Sequence, residues 1–387
     1  MPSVRTIAIA TGTRADWGLL SPIARSLAAR PDCRVAVLAT NMHLLPQYGA
    51  TLSEIQADGF GDVVTVPMPP STDTPLATVD AMAGCMQGMA RELSRLAPDL
   101  IVILGDRFEM LATATAALIT GVPVVHIAGG EISEGAIDDS IRHAITKMSA
   151  LHLTATEPYR RRVIAMGEEP ERVINTGAIG VWNMLNTPRL SRAELERSID
   201  FSLPPESLLV TFHPATLDPI APAIRCDALL EALDRFPDHR LLITYPNNDA
   251  RGREIIDRIE RYAAARPARV KVIPSLGRVR YVAALTCVAA VVGNSSSGIV
   301  EVPSMAIPTV DIGIRQRGRI AGPSVIHSGD SASEIAEAIE RALSPEMRLL
   351  ARSEPNPYAR PDTLRLISDA IALTPLSTLK SKKFHDL

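Results

Sequence analysis

The sequence predicts an α/β protein built from two doubly wound, mostly parallel sheets, and three observations predict it. Short β-branched runs alternate with longer helical patterns along the whole chain, the signature of repeated βαβ units. At 387 residues the chain is too long for one ordinary core, so two domains are expected. Aromatic residues make up only 4% while the hydrophobic set is 46%, so Ala, Val, Leu and Ile must fill the interior, as suits parallel strands covered by helices.

The elements follow in order. Residues 5–10 predict the first strand, 19–29 a helix and 33–39 a second strand. Further strands are expected at 63–66, 100–104, 123–127, 151–153 and 173–174, with helices at 77–96, 110–119, 138–148 and 158–166. Residues 182–205 break the rhythm with Pro188, Pro204 and Pro205, although Ser191 and Glu194 fit a capping box for a short helix. The alternation restarts with strands at 208–212, 240–244, 270–273, 288–292 and 308–312, and helices at 222–235, 251–265 and 278–286. Helices at 331–343 and 363–373 close the chain, the first with a second capping-box pair, Ser331 and Glu334. The implied boundaries are 1–185 for the first domain, 186–365 for the second and 366–387 for a C-terminal helix and tail. Two such halves imply a central cleft that both face, lined by the carboxyl ends of their strands.

Composition narrows the function. Charged residues are 21% and the formal net charge is −3, so no polyanion-binding surface, and no nucleic-acid partner, is expected. Lys380, Lys382 and Lys383 read as a solvated terminus. No apolar run approaches the roughly 20 residues of a membrane span, and residues 1–5 lead straight into a strand pattern, unlike a signal peptide. A cytoplasmic location with no membrane partner is expected. Cys33, Cys85, Cys226 and Cys287 are far apart and form no C-x-x-C, which argues against a disulfide framework or a structural zinc site.

The chemistry-bearing residues gather where strands are expected to end. Gly293-Asn294-Ser295-Ser296-Ser297-Gly298-Ile299-Val300-Glu301 predicts a tight turn that ends a buried strand and opens a helix. Such a turn offers free backbone N–H groups and the positive end of a helix dipole to phosphate oxygens, without a metal. Glu301, about two helical turns on, would accept hydrogen bonds from sugar hydroxyls. An N-capped helix with spare serines accounts for this stretch equally well. Gly12 and Arg14 suit a diphosphate, the alternative being a structural pair of Arg14 with Asp16, and no G-x-G-x-x-G follows the first strand.

Asp106 and Arg107 leave the very apolar strand at 100–104, where a carboxylate and a guanidinium must either pair or meet a ligand. His126, Glu131, Asp138, Asp139, Arg142 and His143 follow, with Asp138 and Arg142 on one helix face. Paired acids in a partly dry cleft can divide into acid and base roles, although Asp138 or Asp139 would also serve as a plain helix cap. His213, just past a strand, can donate to a leaving oxyanion, a structural histidine being the plainer alternative. Asn247 and Asn248 offer amides to a nucleobase or sugar, and Arg315, Arg317 and Arg319 offer cations to an anion. H-E-x-x-H, P-loop and G-x-S-x-G patterns are all absent, so the ligand reads as a diphosphate held by helix ends and arginines.

Taken together these residues resemble the UDP-N-acetylglucosamine 2-epimerases, and within them the hydrolysing branch that feeds sialic and related nonulosonic acid synthesis. The matching segments are TGTRADWGLLSPI from Thr11, GDRFEMLA from Gly105, GGEISEGAIDDSIRHAITKMS from Gly129, FHPAT from Phe212, YPNNDARG from Tyr245, GNSSSGIVEVPS from Gly293 and IGIRQRGR from Ile312. The resemblance implies a GT-B-like architecture, with the sugar and acid–base side in the first domain and the nucleotide diphosphate side in the second. It also implies that the C-terminal helix packs back on the first domain, that the protein is a homodimer or homotetramer, and that neither cofactor nor metal takes part.

The reaction it implies is loss of UDP from C1 coupled to proton removal at C2, giving 2-acetamidoglucal, followed by addition of water with inversion at C2. Carried over by position, Asp106, Glu131 and Asp138 become the acid–base candidates, with Arg142 orienting them and His213 on the departing phosphate. Arg14, Asp16, His43, Arg107, Asn247, Gly293, Ser295, Ser296, Ser297, Glu301 and Arg315 become the UDP- and sugar-binding candidates. Ala128 stands where some members carry a glutamate, and Glu131 is the acid expected to take over. The expected overall conversion is UDP-N-acetylglucosamine and water to N-acetylmannosamine and UDP. The alternatives are a hydrolysing 2-epimerase of UDP- or GDP-linked N,N′-diacetylbacillosamine for legionaminic acid synthesis, a non-hydrolysing epimerase, a glycosyltransferase of the same architecture and a non-catalytic nucleotide-sugar sensor.

Overall fold

The computed structural model describes residues 4–45, 51–60, 63–69, 74–134, 137–215, 218–246 and 251–386. Two wholly parallel sheets organise them. The first contains β1 (Arg5–Thr11), β2 (Cys33–Thr40), β3 (Val63–Val66), β4 (Leu100–Leu104), β5 (Val124–Ile127), β6 (Leu151–Thr154) and β7 (Val173–Asn175), in the order β3-β2-β1-β4-β5-β6-β7. The second contains β8 (Leu208–Thr211), β9 (Leu241–Thr244), β10 (Val270–Ile273), β11 (Ala290–Gly293), β12 (Thr309–Ile312) and β13 (Val325–Ser328), in the order β10-β9-β8-β11-β12-β13. Strand order reverses between β1 and β4 in the first and between β8 and β11 in the second. At such switch points the loops leaving the carboxyl ends diverge to opposite faces and leave room for a ligand.

The sheets belong to two separate units. One comprises Met1–Glu131, Asp138–Ile179 and Arg360–Leu387, the other Ile132–Ile137 and Gly180–Ala359. Within the first, β4 is buried at every residue and packs with Ala8, Ala10 and Leu38 beneath the helices Pro75–Leu96 and Phe108–Thr120. Within the second, Leu208, Val210, Ile243 and Val292 form the corresponding layer under the helices Pro222–Asp234 and Ala332–Leu343. Central strands buried on both faces need continuous apolar runs, and that is what these segments supply. Both capping boxes form, Ser191 with Glu194 and Ser331 with Glu334. No described helix is long and apolar enough to cross a membrane.

Sequence patterning misses β13 and the helix Pro345–Ser353. β13 is an edge strand, four residues long and exposed along part of its length, so it carries too few buried side chains to declare itself. The first helix, Arg14–Ala28, starts five residues earlier than expected because the Thr13 hydroxyl caps it by accepting from the Asp16 N–H at 3.1 Å.

The basic tail is not wholly solvated, a correction to the sequence reading. Lys380 and Lys383 are exposed, but Lys382 donates to the carbonyls of Lys147 (2.6 Å) and Ser149 (2.8 Å) at the end of the helix Asp138–Met148. Those carbonyls have no partner within the helix, and the negative end of its dipole attracts the cation. The same ammonium meets Glu168 Oε2 at 2.8 Å. Glu168, only 1% exposed, is also reached by Lys147 (2.6 Å) and His152 (2.9 Å). Phe384 lies over Gly167, where any Cβ would overlap its ring.

Burial pushes the Glu168 carboxyl up, but hydrogen bonds from His152, Lys147 and Lys382 outweigh it and draw the carboxyl down to about 2. A carboxyl lowered by folding stabilises the native state above its ordinary pKa of 4.5 and loses that contribution as pH falls toward 2. Glu168→Gln is therefore expected to cost about 3 kcal/mol at pH 7 and to flatten the loss of stability between pH 4.5 and 2. Urea unfolding of both proteins across that range checks this, and equal midpoints at pH 7 would refute it.

Candidate functional site

In the first unit the acidic residues collect where β4 and β5 end. Arg142, on the helix Asp138–Met148, is only 1% exposed, and a guanidinium removed from water must have its donors met. It pairs with the Asp106 carboxylate, donates to the Glu131 carbonyl at 2.9 Å and meets Asp139 Oδ1 at 3.3 Å. One cation thus joins the loop after β4, the loop after β5 and the first turn of a helix. Asp138 stands half-buried at the first position of that helix. Gly105 bends the chain out of β4 with φ +76°, and Ala128 bends it out of β5 with φ +66°, a conformation that costs an alanine about 1 kcal/mol. Two residues later Gly130 (φ +80°) is obligatory, since a Cβ there would stand 2.7 Å from the Tyr159 carbonyl oxygen.

Beside this cluster, at the β1 exit, Arg107 Nε donates to Glu109 Oε1 at 2.7 Å, and Glu109 is fully buried. A side chain on Gly12 would overlap that carboxylate, so Gly12 serves close approach. Asp16 is half-buried, yet its Oδ2 is sealed from solvent and, like Glu109 Oε2, has no partner among the described residues. Burial pushes the Asp16 carboxyl up to about 6, with the Arg107 cation opposing and the Glu109 carboxylate adding to the rise. Arg14 pairs with Glu54 at 3.0 Å rather than with Asp16. His43 is fully buried with its ring nitrogens 3.0 Å from Thr11 Oγ1 and 2.8 Å from Thr51 Oγ1, and burial pushes it down to about 4.

In the second unit the turn after β11 is fixed by sterics. Gly293 has φ +148°, and a Cβ there would collide with the Thr211 carbonyl oxygen on β8. Asn294 then joins the two strand exits reciprocally, accepting from the His213 N–H at 2.7 Å and donating to the His213 carbonyl at 2.9 Å. Arg315 donates to the carbonyls of Pro214 and Asn294, both at 3.2 Å, and Gln316 Nε2 to that of Asn294 at 3.0 Å. Ser295 stands at the N-cap position of the helix Ser296–Val300 without a side-chain capping bond, and Ser297 Oγ lies 2.9 Å from the Tyr281 hydroxyl. This helix is shorter than expected. Glu301 sits at its end, where it passes into a 3₁₀ turn, with its carboxylate where a Gly180 side chain would be. His213 is 4% exposed, and burial, aided by the Arg315 cation, pushes its imidazole down to about 3. His213, Asn294, Arg315, Phe212, Asp218 and Arg225 line a pocket.

Of the residues singled out in the sequence, Asp106, Glu131 and Arg142 come together in one unit, and His213, Gly293, Ser295 and Arg315 come together in the other. Asn247 and Asn248 lie outside the described residues. Asp139 as a partner of Arg142, Asn294 as the bridge to His213 and Gln316 behind it are added by the structure. Asn294 does stand inside the motif, between Gly293 and Ser295, but its side chain pairs across 81 residues, which no local pattern announces.

A family model described as UDP-N-acetylglucosamine 2-epimerase matches residues 25–372. The chain is 34% identical over 346 residues, 89% of either protein, to the GDP/UDP-N,N′-diacetylbacillosamine 2-epimerase (hydrolyzing) of Campylobacter jejuni. It is 33% identical over 372 residues, 95% of either, to the polysialic acid biosynthesis protein P7 of Escherichia coli. The crystal structure of UDP-GlcNAc 2-epimerase from Neisseria meningitidis bound to UDP-GlcNAc superposes with a TM-score of 0.79 at 16% identity, covering 95% of this chain and 99% of that one. This likeness establishes the fold as GT-B-like.

The burial of His213 has a directly measurable consequence. With its pKa near 3, the imidazole is expected to stay neutral, so its side-chain NMR resonances, assigned with His213→Gln, should not move between pH 8 and 5 in the unliganded protein. A titration midpoint near the ordinary 6.5 would refute the assignment.

Proposed function

We propose that this chain, which belongs to the UDP-N-acetylglucosamine 2-epimerase family, is a hydrolysing 2-epimerase converting UDP-N-acetylglucosamine and water to N-acetylmannosamine and UDP. The observation that carries the reading is the assembly of Asp106, Arg142 and the Glu131 segment about one buried cation at a sheet's carboxyl edge. The names of the two relatives, one hydrolysing and one in polysialic acid biosynthesis, support the hydrolysing branch.

The chemistry fits what these residues can do. The C2 hydrogen of the sugar is barely acidic, so its removal must be coupled to loss of the group at C1. The C1–O bond breaks with its electron pair leaving on UDP while a carboxylate takes the C2 proton, and 2-acetamidoglucal results. Water then adds, with its hydroxyl to C1 and a proton to C2 from the opposite face. Asp106, Glu131 and Asp138 take the acid–base roles, and Arg142 ties the Asp106 carboxylate to the backbone of Glu131. The Gly293–Ser297 turn, with Arg315, supplies N–H groups, hydroxyls and a cation for the departing diphosphate. A neutral His213 donates one N–H there, and Glu301 accepts from the ribose. Arg14, on the β1 side, is proposed to meet the diphosphate, and Asp16, Arg107 and His43 to contact the UDP-sugar. A homodimeric or homotetrameric state is also proposed, and light scattering tests it.

A second reading, hydrolysis and epimerisation of UDP- or GDP-linked N,N′-diacetylbacillosamine, is favoured by the 34% identity to the Campylobacter jejuni enzyme of that name. Proton NMR in D2O with both sugar nucleotides decides. Free 2-epimerised sugar carrying deuterium at C2, with UDP, is expected, and the faster substrate names the specificity. An epimerised sugar still attached to UDP would overturn the hydrolysing reading. Asp106→Asn is expected to lower kcat by a factor on the order of 10²–10⁴ in protein that stays folded by circular dichroism at the assay temperature. An unchanged rate would refute its role.

A further inference from the structure

We propose that His126 is a positioning residue for the Asp106–Arg142 pair, one imidazole whose two nitrogens tie the loop carrying Asp106 to the helix turn carrying Arg142. This rests on the function proposed above.

His126 lies on β5, fully buried, in register with Ile103 of β4 and His152 of β6. Its Nε2 is 2.8 Å from the carbonyl oxygen of Gly105, and its Nδ1 is 3.2 Å from Thr146 Oγ1. A carbonyl can only accept, so Nε2 carries the hydrogen. Burial holds the ring neutral, so Nδ1 keeps its lone pair and accepts from the Thr146 hydroxyl, whose single hydrogen it shares with the Arg142 carbonyl. One tautomer is thereby selected.

Each bond acts on a member of the pair. The Gly105 carbonyl belongs to the same peptide plane as the Asp106 N–H, so a donor fixed on that oxygen sets the direction in which Asp106 leaves the strand. Gly105 has φ +76°, and such a hinge would otherwise leave the plane weakly defined. On the other side Thr146 is one turn beyond Arg142 on the same helix, and its hydroxyl hydrogen lies between two acceptors, His126 Nδ1 and the Arg142 carbonyl at 3.0 Å, so the imidazole meets the turn that carries Arg142. Gly129 leaves room for this bond, since a Cβ there would come within 2.9 Å of His126 Nδ1 and 3.0 Å of Thr146 Oγ1. A leucine or phenylalanine would fill a sealed strand position without the desolvation cost that an imidazole incurs, so the two bonds account for the histidine.

The test compares three substitutions in the full chain. His126→Phe keeps the volume and loses both bonds, His126→Gln retains an N–H that reaches Gly105, and Thr146→Val removes only the hydroxyl. With the sugar nucleotide that the wild type turns over, His126→Phe is expected to lower kcat at least tenfold with UDP affinity, by calorimetry, unchanged within twofold. His126→Gln should recover most of that loss, and Thr146→Val should fall between. A folded His126→Phe with kcat within twofold of wild type would overturn the proposal, as would a His126→Gln no better than His126→Phe. If His126→Phe does not fold, Thr146→Val with an unchanged kcat overturns it.

Nitrogen-15 NMR of the unliganded protein tests the arrangement independently of turnover. A neutral ring with hydrogen on Nε2 is expected at pH 7, and hydrogen on Nδ1 overturns the proposal. A wild type that turns over no sugar nucleotide refutes the function reading, and the tautomer measurement then still decides whether His126 holds the two segments.

Discussion

A guanidinium out of water is the constraint on which the first unit's acid cluster depends. Leaving the Arg142 charge without partners would cost more than any single hydrogen bond in the molecule returns, so the chain around it has little freedom. The Asp106 carboxylate, the Glu131 carbonyl and Asp139 approach from three segments and share one centre. A shift of any one of them would weaken the cover on that charge. The second unit reaches rigidity by another route. There a glycine that admits no Cβ and a reciprocal pair of neutral hydrogen bonds between Asn294 and His213 set the loop.

The sequence was most legible where burial was most complete. Leu100–Leu104 appears at the bounds its apolar run predicts, because a central parallel strand buried along its length has no polar face to confuse the pattern. β13 and the docking of Lys382 were not legible. A half-exposed edge strand looks like a loop, and a lysine in a tail gives no sign of the helix end and buried glutamate that draw it in. For the candidate site, the alternation of elements placed Asp106, His213 and the Gly293 turn at strand exits, and the strand orders put those exits beside the two switch points. Partner choice was not legible. Arg14 could be placed at a strand exit, but that it reaches Glu54, forty residues on, depends on how a second helix folds over it.

Ala128 shows how the two levels meet. Its left-handed backbone is unfavourable for any residue with a Cβ, yet the position is held by its own N–H donating to the Leu153 carbonyl of β6 at 2.9 Å. The bend this enforces, followed by that at Gly130, turns the chain so that the Glu131 carbonyl faces Arg142. The backbone of Glu131 is therefore part of the scaffold whatever its carboxylate does. The bend is a property of the backbone, and it brings the Glu131 carbonyl to the cation that Asp106 and Asp139 also reach.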